Sequence, residues 1–277
     1  MKTENDPPIR ADFLFAFVEN IMVKKGALDR LLLNDRMQHI RTEDLVVIDI
    51  ETASCFSSFE KMEDKWQRLW EEKTAKILPE NISAAEFYPM RAGVMAEFAG
   101  IVCVSIGIFV KEPSLKLRMR SFYGDDEKKL LNDLMEALAK IERRNRAWCF
   151  AGHNIREFDI PFICRRLLIN KMPLPKFLDF QNMKPWETNI VDTFQYWRFG
   201  DYKNFTSLKL LAAAMGIPSP KDDIDGSMVG ELYHVEDPEQ RKINLERIAK
   251  YCEKDVLTTA NIILRFKNME TITETVS

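Results

Sequence analysis

The chain has 277 residues, of which 46% are hydrophobic, and its 40 Lys and Arg residues nearly balance its 43 Asp and Glu residues. This length and composition suit one large domain with a buried core, and they exclude a disordered or fibrous protein. Because the charges nearly cancel, no overall positive field indicates nucleic-acid binding, although a cluster of metal-binding carboxylates would itself be negative before its cations bind.

The first part of the chain divides into an extension and the start of a sheet. Phe13, Phe17 and Ile21 stand at helical spacing, so residues 1–41 are predicted to form an amphipathic helical extension of unknown role. Leu45 to Ile50 is a near-continuous apolar run, typical of a strand in the buried centre of a sheet. A segment with helix-compatible apolar spacing follows, at Trp66, Leu69, Trp70 and Ile77.

The middle of the chain predicts two strands and a helix. The strands are Ile101 to Val110 and Leu115 to Tyr123. Asp125-Asp126-Glu127 then supplies a helix N-cap and an acidic first turn. The apolar positions on one face of that helix are Leu130, Leu134, Leu138 and Ile141.

The last part alternates between short strands and helices. Strands are predicted at Ala147 to Ala151 and Ile190 to Asp192, and helices at Phe158 to Ile169 and from Pro238 to about Phe266. Turn-forming residues occupy Pro218 to Asp223. The order β, β, β, α, β, α, β, α indicates an α/β fold with helices on both faces of a mixed sheet, and a ribonuclease H-like fold satisfies it. We therefore expect one catalytic domain over residues 42–277.

The cysteines and apolar runs indicate the compartment. The five cysteines are scattered and form no CxxC pair, which argues against a zinc finger and a disulfide scaffold. Cys103 and Cys149 lie in apolar strands and are expected to be buried free thiols. Phe13 to Val18 is too short to cross a bilayer and lacks the flanks of a signal peptide. We expect a cytoplasmic protein with no membrane partner.

Two carboxylates lie at the end of the first predicted strand. Strand alternation places Asp49 and Glu51 on the same face, with one residue between them pointing the other way. Mg²⁺ and Mn²⁺ prefer such oxygen ligands. Taken alone the pair is weak evidence, because acidic residues at strand ends are commonly only solvated.

Two more motifs place acidic residues on helices. Asp159 stands where a helix begins after a buried strand, although an acid near a helix N-terminus also has a purely structural explanation. His153 is interpreted as a structural loop histidine without a role in proton transfer. Tyr251 and Asp255 are four residues apart in the last helix, so they project together at the edge of its buried stripe. An ordinary boundary pair would have the same spacing.

Together these motifs resemble the three exonuclease motifs of the DEDDy superfamily. They are DIET (residues 49–52), HNIREFDIPF (residues 153–162) and YCEKD (residues 251–255), in that order on strand, loop and helix. Further segments are similar to a bacterial family related to the exonuclease domain of family B DNA polymerases: residues 96–102, 192–193, 197–202, 207–208 and 218–227. The resemblance covers about Thr42 to Phe266 and does not include residues 1–41.

The resemblance implies a 3′-5′ exonuclease that releases nucleoside monophosphates from single-stranded DNA with two divalent cations, Mg²⁺ or Mn²⁺. Asp49, Glu51 and Asp255 would surround one cation, and Asp49 with Asp159 the other. Tyr251 would orient the attacking water, since a phenol with a reference pKa of about 10 is a poor base.

The same resemblance implies residues that bind the substrate. Thr52, Ala53 and Asn154 would lie near the terminal nucleotide, and Phe158 would stack against its base or else pack in the core. Four further residues are candidates to contact the strand's backbone, although isolated basic residues are more often only solvated: Lys184, Trp186, Lys203 and Lys209.

Other functions remain open at this point. A 3′-5′ exoribonuclease or oligoribonuclease would use the same acids, because the contacts that distinguish DNA from RNA are not identified. An inactive nucleic-acid-binding module is disfavoured by intact acids at all four positions. A structural or interaction protein would make every motif coincidental. No polymerase domain is recognised, so a proofreading role would need a polymerase or repair partner.

Overall fold

Six strands form one mixed sheet in the computed structural model, which describes residues 36–184, 187–218 and 224–276. The strands are β1 (Leu45–Ser54), β2 (Ala99–Lys111), β3 (Leu115–Tyr123), β4 (Cys149–Gly152), β5 (Ile190–Asp192) and β6 (Thr275–Val276). Their order across the sheet is β5-β4-β1-β2-β3-β6. The β1, β2 and β3 strands pair antiparallel, whereas β4 lies parallel to both β1 and β5. This is the predicted ribonuclease H-like fold, with β1 in the middle.

Eight helices of the described ranges from residue 42 onward accompany the sheet. They are α1 (Asp64–Thr74), α2 (Ala84–Arg91), α3 (Glu127–Arg144), α4 (Asp159–Ile169), α5 (Thr193–Arg198), α6 (Leu208–Ala214), α7 (Val229–Tyr233) and α8 (Pro238–Phe266). Short 3-10 turns occupy Thr42–Asp44, Phe59–Lys61, Ala92–Val94, Lys176–Leu178 and Gly226–Met228. No helix in these ranges is both long enough and apolar enough to pass through a membrane.

The predicted strands and long helices are confirmed with small changes at their ends. β3 and β5 have the predicted bounds, β1 continues to Ser54, and β4 begins at Cys149 instead of at position 147. The Asp126 side chain caps α3 by accepting a hydrogen bond from the Lys129 amide at 2.9 Å. At α8, Asp237 caps the helix and Pro238 occupies its first turn, where the missing N–H costs nothing.

Several short elements were not predicted from the sequence. They are α2, α5, α6, α7 and β6. Elements this short do not repeat an apolar period, and their ends depend on caps. The α2 helix has a complete capping box, with Ser83 and Glu86 bonding each other's backbone amides. That Ser-x-x-Glu spacing was visible in the sequence and would have located the helix despite its internal Pro89.

The two faces of the sheet are covered by different helices. Val46, Ile48 and Ile50 of β1 lie in a core cluster with the apolar faces of α3 and α4. On the opposite face Ala53 lies in a second cluster, with Cys252 and its neighbours on α8. Since alternate residues of a strand face opposite sides, Asp49 and Glu51 lie on the side that α8 covers.

The N-terminal part forms a separate unit. The chain divides into Met1–Arg41 and Thr42–Ser277, and a four-residue helix, Arg36–His39, belongs to the first unit. Residues 1–35 lie outside the described residues, so the helical extension predicted there stays a prediction. Most of the predicted turn at residues 218–223 also lies outside them.

Candidate active site

The two acids of β1 project towards α8 from the central strand. Glu51 is buried and Asp49 is half-buried. Just after Glu51, the register with β2 shifts, because Cys103 pairs with Glu51 and Ile101 pairs with Thr52. Such bulges bend a strand and redirect its side chains, and they are common beside active sites. The extra residue, Val102, is on β2, so the bulge lies directly beside the two carboxylates.

The α8 helix brings a cysteine against these acids. The Cys252 thiol donates to the Asp49 backbone oxygen at 3.4 Å and to its Oδ2 at 3.3 Å. One ligand atom from each of Asp49, Glu51 and Cys252 lies within 4.8 Å of the others. Sequence reasoning placed Cys252 only in the buried stripe of the helix. Its position three residues before Asp255, on the same face of the helix, was the available signal that it also faces the site.

Tyr251 and Asp255 lie one turn apart on α8, as predicted from their spacing. The Tyr251 hydroxyl hydrogen-bonds to the Asp255 side chain. The helix can lie this close to the sheet because position 107 of β2 is glycine. A Cβ there would lie 2.8 Å from Val256 Cγ1 and 2.9 Å from Leu117 Cδ2. Gly107 thus sets the depth of α8 beside Asp255.

Asp159 reaches the site from the first turn of α4. Its Oδ1 accepts a hydrogen bond from the Ile50 backbone amide at 3.1 Å. This contact is possible because β4 ends at Gly152, and its pairing with β1 extends only to Val47. Asp159 therefore fills the space beside β1 that a longer β4 would occupy, and it is almost completely buried.

Burial and mutual repulsion raise the pKa values of these acids. Burial is the largest cause of the raised pKa of Asp49, and the nearby carboxylates of Asp159, Asp255 and Glu51 add to it. The pKa of Glu51 is raised by burial first and then by Asp255. For Asp159, burial raises the pKa to about 8 against the lowering effect of backbone hydrogen bonds. Such a cluster of like charges is stabilised by a bound cation.

The residues fit divalent cations by their chemistry. Mg²⁺ and Mn²⁺ bind carboxylate oxygens supplied by a few protein side chains. Four carboxylates from three separate elements lie close enough here to contribute to the raised pKa values of Asp49 and Glu51. A bound cation would offset the repulsion between these carboxylates.

The loop between β4 and α4 is held by polar contacts. Asp192, at the end of β5, accepts hydrogen bonds from the amides of Asn154 (2.9 Å) and Arg156 (3.0 Å). His153 contacts Thr193 Oγ1 and the Thr206 carbonyl, both at 2.9 Å. The interpretation of His153 as a structural histidine agrees with these contacts. Asp192 ended a predicted strand, and its role as an anchor for this loop was missed.

The predicted substrate-binding residues have different surroundings. Asn154 has a left-handed backbone conformation (φ 61°), and its buried Oδ1 has no hydrogen-bond partner among the described residues. The Thr52 hydroxyl donates to the Gly93 carbonyl, and Ala53 is buried in the core. The Phe158 ring packs against Phe162 with 5.4 Å between ring centroids, which favours the core-packing alternative. Contacts of all four with a nucleotide stay predictions.

The remaining candidate residues and the cysteines are also located. Lys184, Lys203 and Lys209 are exposed, and Trp186 lies outside the described residues. None of the five cysteines, all of which are described, forms a disulfide, and Cys103 and Cys149 are buried as predicted.

Comparison with known proteins identifies a related family. Residues 94–276 match the family described as "Predicted 3′-5′ exonuclease related to the exonuclease domain of PolB". Among solved structures, the family B DNA polymerase from the hyperthermophilic archaeon Pyrobaculum calidifontis is 14% identical, with a TM-score of 0.43. The match covers 83% of this chain and 27% of the polymerase, so the chain spans about a quarter of that protein. No curated protein matches the sequence.

Proposed function

This chain belongs to the family of predicted 3′-5′ exonucleases related to the exonuclease domain of PolB, and from that premise we propose that it hydrolyses the terminal phosphodiester of single-stranded DNA. The proposed site is of the DEDDy type and binds two divalent cations, Mg²⁺ or Mn²⁺. Its acids are Asp49, Glu51, Asp159 and Asp255. The observation that carries the proposal is the convergence of these carboxylates from β1, α4 and α8, where burial first and then the three neighbouring acids raise the pKa of Asp49.

The arrangement supports a division of the acids between two positions. After burial, every other acid of the cluster contributes to the raised pKa of Asp49, which supports assigning Asp49 to both cation positions. Glu51 and Asp255 would complete one position and Asp159 the other. When bound, the cations would stabilise the attacking and leaving oxygens and lower the pKa of the attacking water.

Tyr251 has the properties of an orienting residue. Burial and the adjacent carboxylates, first that of Asp255, raise its pKa well above the ordinary value of a tyrosine. The hydroxyl therefore remains protonated at neutral pH and cannot remove a proton from water. It can hold the attacking water by hydrogen bonding while its own proton is shared with Asp255.

Asn154 supplies a candidate contact for the end of the strand. Its Oδ1 is a buried acceptor without a partner in the described part of the chain, and a buried acceptor left unpaired costs about 1–3 kcal/mol. A hydroxyl of the terminal sugar is a donor of the required kind. Asn154 lies on the loop that leads to Asp159, so this acceptor belongs to the same segment as a proposed cation ligand.

The test is digestion of end-labelled substrates. We expect Mn²⁺- or Mg²⁺-dependent release of mononucleotides from the 3′ end of single-stranded DNA and none with chelator. Duplex ends should be degraded more slowly, because a terminal pair must open first. The Asp49→Ala protein, purified in the same way, controls for contaminating nucleases.

The outcomes separate the alternatives. Preferential digestion of RNA would replace the DNA substrate by RNA while keeping the site. Tight metal-free binding of nucleic acid without hydrolysis under any of these conditions would refute the enzyme and favour a binding module.

A further inference from the structure

Exposed aromatic side chains are concentrated in one segment. Of the described residues, five aromatic side chains are substantially exposed, and four of them lie between positions 197 and 205. These are Trp197 (36% exposed), Phe199 (90%), Tyr202 (75%) and Phe205 (66%). Clusters of exposed apolar rings generally mark an interaction surface. Residues 197–206 are called the aromatic segment below.

Both ends of the aromatic segment are bonded to the loop that supplies Asp159. At one end, Arg198 Nη1 contacts Glu157 Oε1 at 3.1 Å, and Glu157 lies two residues before Asp159. At the other end, the Thr206 carbonyl contacts His153 Nε2 at 2.9 Å, and His153 directly precedes Asn154. The segment is therefore an extension of the candidate active site.

Two of these rings, Tyr202 and Phe205, are held by contacts within the protein while they remain largely exposed to solvent. The Arg198 guanidinium lies over the Phe194 ring at 4.7 Å and over the Tyr202 ring at 4.8 Å. Phe205 packs against Phe194 with 5.1 Å between centroids. Preorganised rings lose little conformational freedom when a flat ligand stacks on them.

Phe199 has an unusual backbone conformation among the exposed aromatic residues. It follows α5 with φ 45° and ψ 34°, in the left-handed region that a bulky residue rarely adopts. A strained backbone that holds a ring in solvent is a cost to the isolated protein, and such costs concentrate at ligand-binding positions. The strain and the 90% exposure are two independent properties of the same residue.

Basic residues outnumber acidic ones along this part of the sequence, although the chain as a whole carries a formal charge of -3. Between positions 197 and 209 the sequence has Arg198, Lys203 and Lys209 against a single acid, Asp201. Arg198 is paired with Glu157, so the exposed basic side chains of this stretch are Lys203 and Lys209. Interleaved aromatic and basic side chains match the alternating bases and phosphates of a single strand. This pattern favours nucleic acid over an apolar protein surface as the ligand.

We propose that the aromatic segment is a stacking platform for the single strand just upstream of the nucleotide in the active site. The proposal rests on the proposed exonuclease function and extends it. Base stacking on Phe199 and Tyr202 is tolerant of sequence, because every base has a flat face. The platform would hold successive nucleotides as the 3′ end is shortened.

The experiment compares a long and a short substrate. Phe199→Ala, Tyr202→Ala and the double variant are assayed on single-stranded DNA of about 20 nucleotides and on a dinucleotide too short to reach the platform. The matched control is Ile169→Ala, another exposed large side chain (49%), at the far end of α4 from Asp159. Thermal unfolding verifies that each variant is folded.

We expect KM for the long strand to rise roughly fivefold or more for each ring removed, with kcat and hydrolysis of the dinucleotide unchanged. Tyr202→Trp should retain low KM, whereas Tyr202→Leu should behave like Tyr202→Ala, because stacking needs a flat ring. Ile169→Ala should match wild-type on both substrates.

Binding of a fluorescent single strand in Ca²⁺, measured by anisotropy, tests the platform independently of hydrolysis. If the protein cleaves nothing but ring removal weakens this binding, the proposed activity fails and the platform stands. If wild-type binds no single strand, the platform is wrong.

Unchanged KM in an active double variant also overturns the platform and leaves a protein partner as the explanation of the exposed rings. Equal losses on both substrates overturn it too, because they indicate a structural role.

Discussion

Two regions supply the candidate active site, and they are built differently. Asp49, Glu51 and Asp255 stand on β1 and α8, two regular elements packed against each other through an apolar layer. Asn154 and Asp159 stand at the two ends of a loop that is held by side-chain hydrogen bonds to Asp192 and by contacts of His153. The first region is fixed by burial of apolar area, and the second by a small number of polar contacts.

The difference indicates how each region should respond to change. On β1 and α8, the functional side chains add little to the packing that positions them. Their replacement should therefore abolish catalysis while the fold is retained. In the loop, the backbone path depends on individual contacts. Changes there should displace Asp159 and reduce activity even when every acid is retained.

The largest expected effect is the loss of an acid from the packed region. Asp49→Ala or Asp255→Ala should lower kcat/KM for single-stranded DNA by about a thousandfold or more, because several kcal/mol of charge stabilisation are lost at a factor of ten per 1.36 kcal/mol. Release of labelled mononucleotides in Mn²⁺ measures this. Glu136→Ala, which removes an exposed acid on α3, is the control. Turnover near that of wild-type in either variant contradicts the site assignment.

A second change in the same region separates water orientation from cation binding. Tyr251→Phe should reduce kcat by roughly a hundredfold, a value typical for loss of one well-placed hydrogen-bonding group. Its Mn²⁺ affinity should stay close to that of wild-type, because the hydroxyl is not a proposed ligand. Activity and Mn²⁺-induced stabilisation are measured together. A full rate across the pH range would show that the hydroxyl has no role in the reaction.

The loop is tested by adding one methyl group. In Gly152→Ala the new Cβ would clash with Ile155 Cγ2 and lie 2.9 Å from the Ile48 carbonyl oxygen, so the loop must shift. We expect a loss of about 1–3 kcal/mol in the free energy of unfolding and a fall in kcat of about a hundredfold from misplacement of Asp159. Chemical denaturation and the nuclease assay report the two effects.

Gly230→Ala is the matched control for this change, because a Cβ at position 230 meets no atom within 4 Å. It should leave both the free energy of unfolding and the rate nearly unchanged. If Gly152→Ala behaved in the same way, the loop would be more tolerant than its close contacts indicate, and the contrast between the two regions would disappear.

Metal-linked stability tests the cluster without measuring activity. A cation that binds only the native state adds about 2.7 kcal/mol at a hundredfold excess over Kd, so wild-type should melt at a higher temperature in Mn²⁺ than in chelator. Asp255→Asn should show much less of this shift. Without metal it should be at least as stable as wild-type, because one repelling charge is removed. Equal metal-induced shifts in the two proteins would disprove the cation site.

The last test concerns the dependence of metal-free stability on pH. The native pKa of Asp159 is about 8, above its value of about 3.9 in an unfolded chain. The native state therefore binds more protons, and the free energy of unfolding should fall as pH rises from about 4 to about 8. Urea denaturation in chelator measures the slope. Asp159→Asn should reduce it, and a slope of the opposite sign would contradict the burial of this acid.

The sequence by itself determined the central strand, the long helices and the acids. Unbroken apolar character located β1, helical periodicity located α3 and α8, and strand alternation placed Asp49 and Glu51 on one face. Each of these depends on residues close together in the chain, so local spacing is sufficient. The fixed four-residue spacing of a helical turn likewise paired Tyr251 with Asp255.

The tertiary structure alone decided which distant groups meet. No local pattern shows that Cys252 donates to Asp49, that Asp192 anchors the Asn154 loop, or that residues 197–206 are bonded to that loop at both ends. The same is true of Gly107 and Gly152, whose importance depends on atoms contributed by other elements. These contacts arise from close packing between segments far apart in the chain, and a single sequence records the residues but not their neighbours.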